Sequence, residues 1–183
     1  MNLPASVAGR ERARLFCALR LPDAALEALS EWQAEHIERG RTVPRDQLHV
    51  TLAFLGHRPV AELELVLEAL REAARAAPRI RLVPESYRET RSVGMLVLSD
   101  VGGGATEVAA DLQGRLAEAG VYEPEKRPWL PHVTVVRFRE RPRLQPPLPV
   151  LGEVSPSDAA AYHSVLRSGG AQYFVVESFA LGG

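Results

Sequence analysis

A two-lobed fold of mixed helices and strands, its lobes related by a pseudo-two-fold axis, is predicted by two observations on this sequence. Two stretches echo each other, Leu48-His49-Val50-Thr51-Leu52 and Pro131-His132-Val133-Thr134-Val135, one in each half of the chain. Residues 15–51 and 96–134 share the order strand, capped helix, irregular link, His-x-Thr strand at similar spacing. This is a degenerate internal repeat rather than a solenoid period. Two such lobes would oppose their histidine faces. The alternation of strands and helices also suits a parallel βαβ sheet, although no Gly-rich nucleotide fingerprint accompanies it.

With 183 residues, 46% of them hydrophobic and 25% charged, the chain suits one sizeable domain or two small lobes sharing a core. A formal net charge of −1 exerts no global pull toward nucleic acid, so any such binding needs a local basic patch. All basic residues but Lys126 are arginine. That bias suits phosphate and carboxylate recognition, and codon bias or adaptation to heat accounts for it equally well. Cys17 is the single cysteine, which excludes an internal disulfide and a cysteine zinc site and reads as a small buried hydrophobe. No stretch approaches the roughly 20 apolar residues of a membrane span. Residues 1–14 lack the apolar core of a signal peptide. Residues 1–13 are therefore expected to be a disordered leader, and 14–183 a single bilobal domain of a cytoplasmic protein.

The elements follow in order. Residues 15–21 read as a strand closed by Pro22. Asp23 then caps a helix to about residue 39, with Leu26, Leu29, Trp32 and His36 or Ile37 along one side and Gly40 as its stop. An irregular link leads into the first His-x-Thr strand, which ends at Gly56. Pro59 opens the clearest helix, where Leu63, Val66, Leu67, Leu70 and Ala74 keep the spacing of an amphipathic face until Pro78. Short strands follow at 80–83, 86–90 and 95–101, then the Gly102-Gly103-Gly104 turn. Thr106 caps a helix carrying Val108, Leu112, Leu116 and Ala119 and stopping at Gly120. A Pro-rich connection, 123–131, feeds the second His-x-Thr strand. Residues 139–149 hold four prolines and three arginines and read as an exposed loop. Strands at 159–166 and 172–180 form a hairpin across Ser168-Gly169-Gly170.

Alternation with period two places His49 and Thr51 on one face of their strand, and His132 and Thr134 on one face of theirs. Paired histidines suit acid–base work, because an ordinary pKa near ~6.5 lets one ring accept a proton while the other donates. The threonine hydroxyls two residues on can donate hydrogen bonds to an oxyanion between the rings. A lone strand histidine more often fills a sheet face and satisfies itself on a backbone carbonyl. The duplication reverses that preference. His57 reads as exposed in a Gly-His-Arg-Pro turn, His36 and His163 have no partner at ligand spacing, and the triple glycine lacks the Gly-Lys-Ser/Thr ending of a phosphate loop. Arg127 and Trp129 flank the second motif, where they are candidates to touch phosphate and base; Trp129 is equally a core plug beside Pro128.

On these residues the sequence resembles the two-histidine phosphoesterases, specifically the bacterial and archaeal RNA 2′,3′-cyclic phosphodiesterases long called 2′-5′ RNA ligases. The resemblance runs through residues 14–19, the first motif to Gly56, residues 131–137, and Gly170-Ala171-Gln172-Tyr173 with the apolar strand after it. It implies a bilobal α+β fold, two antiparallel sheets flanking a central cleft with helices outside. It implies His49 as proton donor to the departing ribose oxygen and His132 as the base that activates water. Thr51 and Thr134 would hold non-bridging oxygens, and Arg137 would contact phosphate, with Phe54 in the equivalent place of the first half. Strict alternation puts Arg137 opposite His132, so it reaches the cleft only through a strand end or a bulge.

The implied reaction opens a 2′,3′-cyclic phosphate at an RNA end or nucleotide to a 2′-phosphate. It needs no metal or other cofactor and no membrane, and the protein is expected to be a monomer. The alternatives are ATP-independent 2′-5′ joining on the same site and a non-catalytic RNA-end binding module. A metallohydrolase using both histidines is disfavoured, because neither strand adds a further ligand on the same face.

Overall fold

The computed structural model describes residues 5–168 and 170–182. In chain order the strands are β1 (Arg12–Arg20), β2 (Arg41–Thr42), β3 (His49–Pro59), β4 (Leu82–Glu89), β5 (Val93–Asp100), β6 (His132–Arg137), β7 (Asp158–Arg167) and β8 (Gly170–Ala180). The helices are α1 (Asp23–His36), α2 (Leu63–Arg75) and α3 (Gly104–Glu118). The strands pair antiparallel throughout, which removes the parallel βαβ alternative. They run β4-β5-β6-β3-β1-β7-β8, with β2 added against β6.

The expected pair of separate sheets is corrected by this order. There is one eight-stranded sheet, and its halves are joined where β3 meets β6 at the single pair Val50↔Val133. Both valines are fully buried, so the two motif strands share a core even though they scarcely share a ladder. On the outer side of each motif strand lies the strand that opens its repeat, β1 beside β3 and β5 beside β6.

The helices are fixed by their apolar faces. In α2 Leu63, Val66, Leu67, Leu70 and Ala74 are all buried, as their spacing predicts. In α3 Val108, Leu112 and Leu116 are buried. Its start is set by Asp100 rather than Thr106: the Asp100 carboxylate accepts from the backbone N–H of Ala105 (3.2 Å) and Thr106 (2.7 Å) and from the Thr106 hydroxyl (2.8 Å). Pro22, not Asp23, precedes α1, and that helix ends at His36. Strands expected at 80–83 and 86–90 are one, β4, with a bulge between Pro84 and Ser86.

Of the expected leader, residues 1–4 lie outside the described residues. Val7 is fully buried, and Arg12 and Ala13 already belong to β1, so residues 5–13 are tied to the core by one apolar side chain and a strand start. The hairpin joining β7 to β8 is present, although its Gly169 lies outside the described residues. The 139–149 loop is irregular and anchored by Glu89, which accepts from the backbone N–H of Arg143 (2.9 Å) and Leu144 (2.8 Å) and from Arg141 Nε (3.2 Å). Among the described residues no helix is long and apolar enough to cross a membrane.

Each motif strand carries a bulge three residues after its histidine. The β6 register slips between Thr134 and Val136, leaving Val135 unmatched. The β3 register slips between Thr51 and Ala53, leaving Leu52 unmatched. Each bulge carbonyl is met by a helix glutamine from the other half of the chain. Gln33 of α1 donates from Nε2 to Val135 O (2.6 Å) and Val43 O (3.1 Å). Gln113 of α3 donates to Leu52 O (2.7 Å).

Replacing the buried Gln33 with the similarly shaped Met should therefore cost roughly 1–3 kcal/mol, since two carbonyls lose a donor they cannot exchange for water. Urea unfolding measures it, and a midpoint equal to wild type would deny the glutamine this role.

Candidate active site

The two histidines are built alike. His49 Nδ1 lies 2.7 Å from Gln47 O, and His132 Nδ1 lies 2.8 Å from Leu130 O, each the carbonyl two residues back. A carbonyl only accepts, so both rings carry their proton on Nδ1 when neutral, leaving Nε2 as the atom that gains or loses one. His49 Nε2 lies 3.1 Å from Thr51 Oγ1. The backbone bond expected of a merely structural strand histidine is thus present, and it serves to aim the ring.

Two adjoining cavities meet at this pair. The first, about 470 Å³, is lined by His49, Thr51, Thr134 and Arg137, among others. The second, about 370 Å³, is lined by His132, Arg127 and Trp129, and Thr51 and Phe54 border both. Arg137 reaches the first cavity because the Val135 bulge restores it to the face of Thr134, as its register against Val93 shows. The Leu52 bulge does the same for Phe54.

Arg127 is almost wholly solvent-exposed, 3.5 Å from Glu125, and borders only the second cavity. Trp129 is half-buried with its Nε1 donating to Thr51 O (2.9 Å), which makes it a brace for the first motif. Among the described residues no three His, Cys, Asp or Glu side chains group as metal ligands.

Sequence reasoning missed four contributors. Phe16 of β1 stacks on Tyr162 at 4.8 Å and packs on His49 at 4.9 Å between ring centroids. Tyr173 of β8 stands edge-on to His49 at 5.5 Å, with its hydroxyl 3.5 Å from Arg137 Nη2. Arg14 and Arg41 also line the first cavity. The aromatic signal was present in the apolar strands, but nothing in their spacing separates a cavity floor from core.

This wall of rings sets the His49 pKa, which is pushed down from 6.5 to about 4. Burial contributes most, and the charges of His132 and Arg137 add to it against the Gln47 carbonyl, which favours the proton. In the unliganded protein at neutral pH His49 is neutral.

The sequence matches the profile of the 2′-5′ RNA ligase superfamily over residues 21–164. A protein of Escherichia coli (strain K12) named RNA 2′,3′-cyclic phosphodiesterase is 30% identical over 174 residues, covering 93% of this chain and 98% of that one. One of the same name from Thermus thermophilus is 34% identical over 187 residues, covering 93% of this chain and 91% of that one. The crystal structure of E. coli LigT complexed with 3′-AMP is similar with a TM-score of 0.80 at 28% identity, covering 93% of this chain and 99% of that one.

Because the folded pKa of His49 is depressed, the unfolded chain binds this proton more tightly. The associated stability is whole above pH 6.5 and is lost as pH falls toward 4. Between pH 7 and 4.5 wild type should lose roughly 2–3 kcal/mol more than His49→Gln. Urea melts of both proteins at the two pH values test this, and parallel losses would mean that His49 is readily protonated in the folded state.

Proposed function

The chain belongs to the 2′-5′ RNA ligase superfamily, and from that premise we propose that it hydrolyses RNA 2′,3′-cyclic phosphate ends to 2′-phosphomonoesters, with His49 and His132 as acid and base. The observation that carries the reading is the matched pair of Nδ1-anchored rings, each followed by its threonine, at the junction of two cavities with Arg137 beside them.

The reaction follows from that arrangement. His132 takes a proton from water as its oxygen attacks phosphorus. The bond from phosphorus to the 3′ oxygen breaks, and charged His49 delivers its Nε2 proton to that oxygen. The threonine hydroxyls and the Arg137 fork hold the non-bridging oxygens, whose charge grows in the transition state. Solvent then returns each ring to its starting state. Proton transfer and guanidinium charge supply what a metal ion supplies elsewhere, so the step runs without one.

His49 must be charged for this role, and in the free protein it resists charging. A bound phosphodiester supplies the missing counter-charge and raises its pKa, so substrate arms its own acid. The same reading takes the two halves of the sheet as lobes about a pseudo-two-fold axis, with the helices outside, in a cytoplasmic monomer. The substrate is an RNA end or nucleotide carrying the cyclic phosphate; the E. coli relative was crystallised with 3′-AMP. Joining of RNA ends through a 2′-5′ linkage would use the same groups in the same sense, with a ribose hydroxyl in place of water as the attacking group, and product analysis separates the two.

His49→Ala and His132→Ala should each lose roughly 10²–10⁴-fold in turnover of a 2′,3′-cyclic nucleotide. Near-normal activity in either would remove that residue from the mechanism. Arg137→Lys should be clearly slower, since a point charge does not replace a fork on two oxygens. Wild-type kinetics for it would sink the phosphate contact.

The pH profile should be a bell. Its alkaline limb in kcat should lie at higher pH than in kcat/KM, because the complex, not the free enzyme, holds His49 charged. EDTA should leave both unchanged. A single rising limb restored only by added zinc or magnesium would overturn acid–base catalysis by the pair.

A further inference from the structure

The first cavity holds more positive charge than one cyclic phosphate requires. Arg14, Arg41 and Arg137 all line it, and no aspartate or glutamate does. A cyclic phosphodiester carries a single negative charge, which Arg137 and the threonines already meet in the reading above. Elsewhere on this chain about half of the arginines hold carboxylates, as Arg20, Arg45, Arg58, Arg71 and Arg115 do. Among the described residues, Arg14, Arg41 and Arg137 form no such pair.

Their placement is costly without an anion. Arg41 on β2 and Arg137 on β6 are directly opposite in an antiparallel pair, where like charges repel. The two-residue β2 exists in the sheet only through this pairing with β6. The far side of Arg41 rests on the β7–β8 hairpin: a Cβ at Gly170 would overlap its guanidinium, and the glycine also has φ +114°, so bare backbone makes room for the fork. Arg14 is held from two sides. Its Nη1 donates to Ser164 Oγ at 2.9 Å, and its guanidinium lies 4.7 Å from the Phe54 ring centroid. Two forks are thus positioned before any ligand arrives, in a cavity of about 470 Å³, which is the size of a nucleotide site rather than of one phosphate.

We infer that Arg14 and Arg41 form a second phosphate subsite, which takes another phosphate group of the substrate strand beyond the cyclic one. The inference deepens the hydrolase reading, on which it rests for the position of the reacting group. The second phosphate is either the internucleotide diester preceding the terminal residue or a 5′-phosphate on a single nucleotide. Both present anionic oxygens to planar donors, and a plain nucleoside 2′,3′-cyclic phosphate presents none there.

The test compares three substrates: a nucleoside 2′,3′-cyclic phosphate, its 5′-phosphorylated form, and a dinucleotide ending in the cyclic phosphate. Wild type should have the lowest kcat/KM on the first, and whichever of the others is preferred identifies the second phosphate. Arg41→Gln should lose roughly 10- to 100-fold on the preferred two-phosphate substrate, and less than about threefold on the first. Its plot of log kcat/KM against log salt should also flatten by about 0.7 on the dinucleotide. Equal losses on all three would assign Arg41 to the reacting phosphate and overturn the subsite; no loss on any would overturn it as well.

A titration of the non-reacting products, a nucleoside 2′-phosphate against its 5′-phosphorylated form and a dinucleotide ending in 2′-phosphate, separates this inference from the hydrolase reading. Arg41-dependent preference for either two-phosphate product by a protein that turns over none of the substrates would retain the subsite and reject the hydrolase. Turnover without any such preference would do the reverse.

Discussion

The site depends on one local break in strand geometry, made twice. A regular strand presents every second side chain to the cleft, which serves histidine and threonine at n and n+2 but sends residue n+5 away. The unmatched residues Val135 and Leu52 shift the phase by one, so that Arg137 and Phe54 return to the histidine face. A bulge leaves backbone groups without ladder partners, and here each bulge carbonyl receives a glutamine amide from a helix of the opposite half. The arrangement ties each motif to the other half of the chain. Loosening α1 disturbs the Arg137 strand, and loosening α3 disturbs the His49 strand. The single pair Val50↔Val133 that joins the half-sheets is therefore reinforced by two glutamine amides, one buried and one half-buried.

The electrostatics point the same way. His49 is held neutral by burial and by neighbouring positive charge, and three arginines face the same space with no carboxylate to offset them. Either feature alone is a stability cost. Together they describe a cavity that is poorly satisfied when empty and well satisfied by an anion. Structural ion pairs elsewhere on the chain show that the sequence had carboxylates available to neutralise these groups. Their absence from this lining is what the proposed anion site requires.

Much of this was legible in the sequence because it rests on short periods. Two His-x-Thr runs on predicted strands located the paired rings, and the amphipathic spacing of Leu63, Val66, Leu67 and Leu70 located α2. Arg137 was accessible only through family resemblance, since alternation pointed it outward. The doublets Val135-Val136 and Leu52-Ala53, where alternation fails, are the trace the bulges leave in the sequence. Gln33 beside Trp32 and Gln113 beside Leu112 interrupt apolar helix faces, a trace of the same kind. Arg41 left none: it stands in an irregular link of an arginine-rich chain, and only the pairing of β2 with β6 brings it to the cavity. The joining of the half-sheets was hidden for the same reason, because one residue pair between strands far apart in the chain has no local signature.

The two cavities also bear on direction. Phosphoryl transfer aligns the attacking and leaving oxygens on opposite sides of phosphorus. His49 borders the arginine-lined cavity and His132 the one bordered by Trp129 and Leu130, with Thr51 common to both. In the proposed mechanism, a strand whose phosphates lay along the arginines would leave its departing ribose oxygen beside His49 and expose the far face of phosphorus toward His132. Water reaching that face gives hydrolysis, and a ribose hydroxyl reaching it gives joining. The second cavity, with its apolar wall and about 370 Å³, is large enough to admit either nucleophile. In the proposed mechanism the histidine pair acts alike in both, so occupancy of the His132 side would decide between hydrolysis and joining.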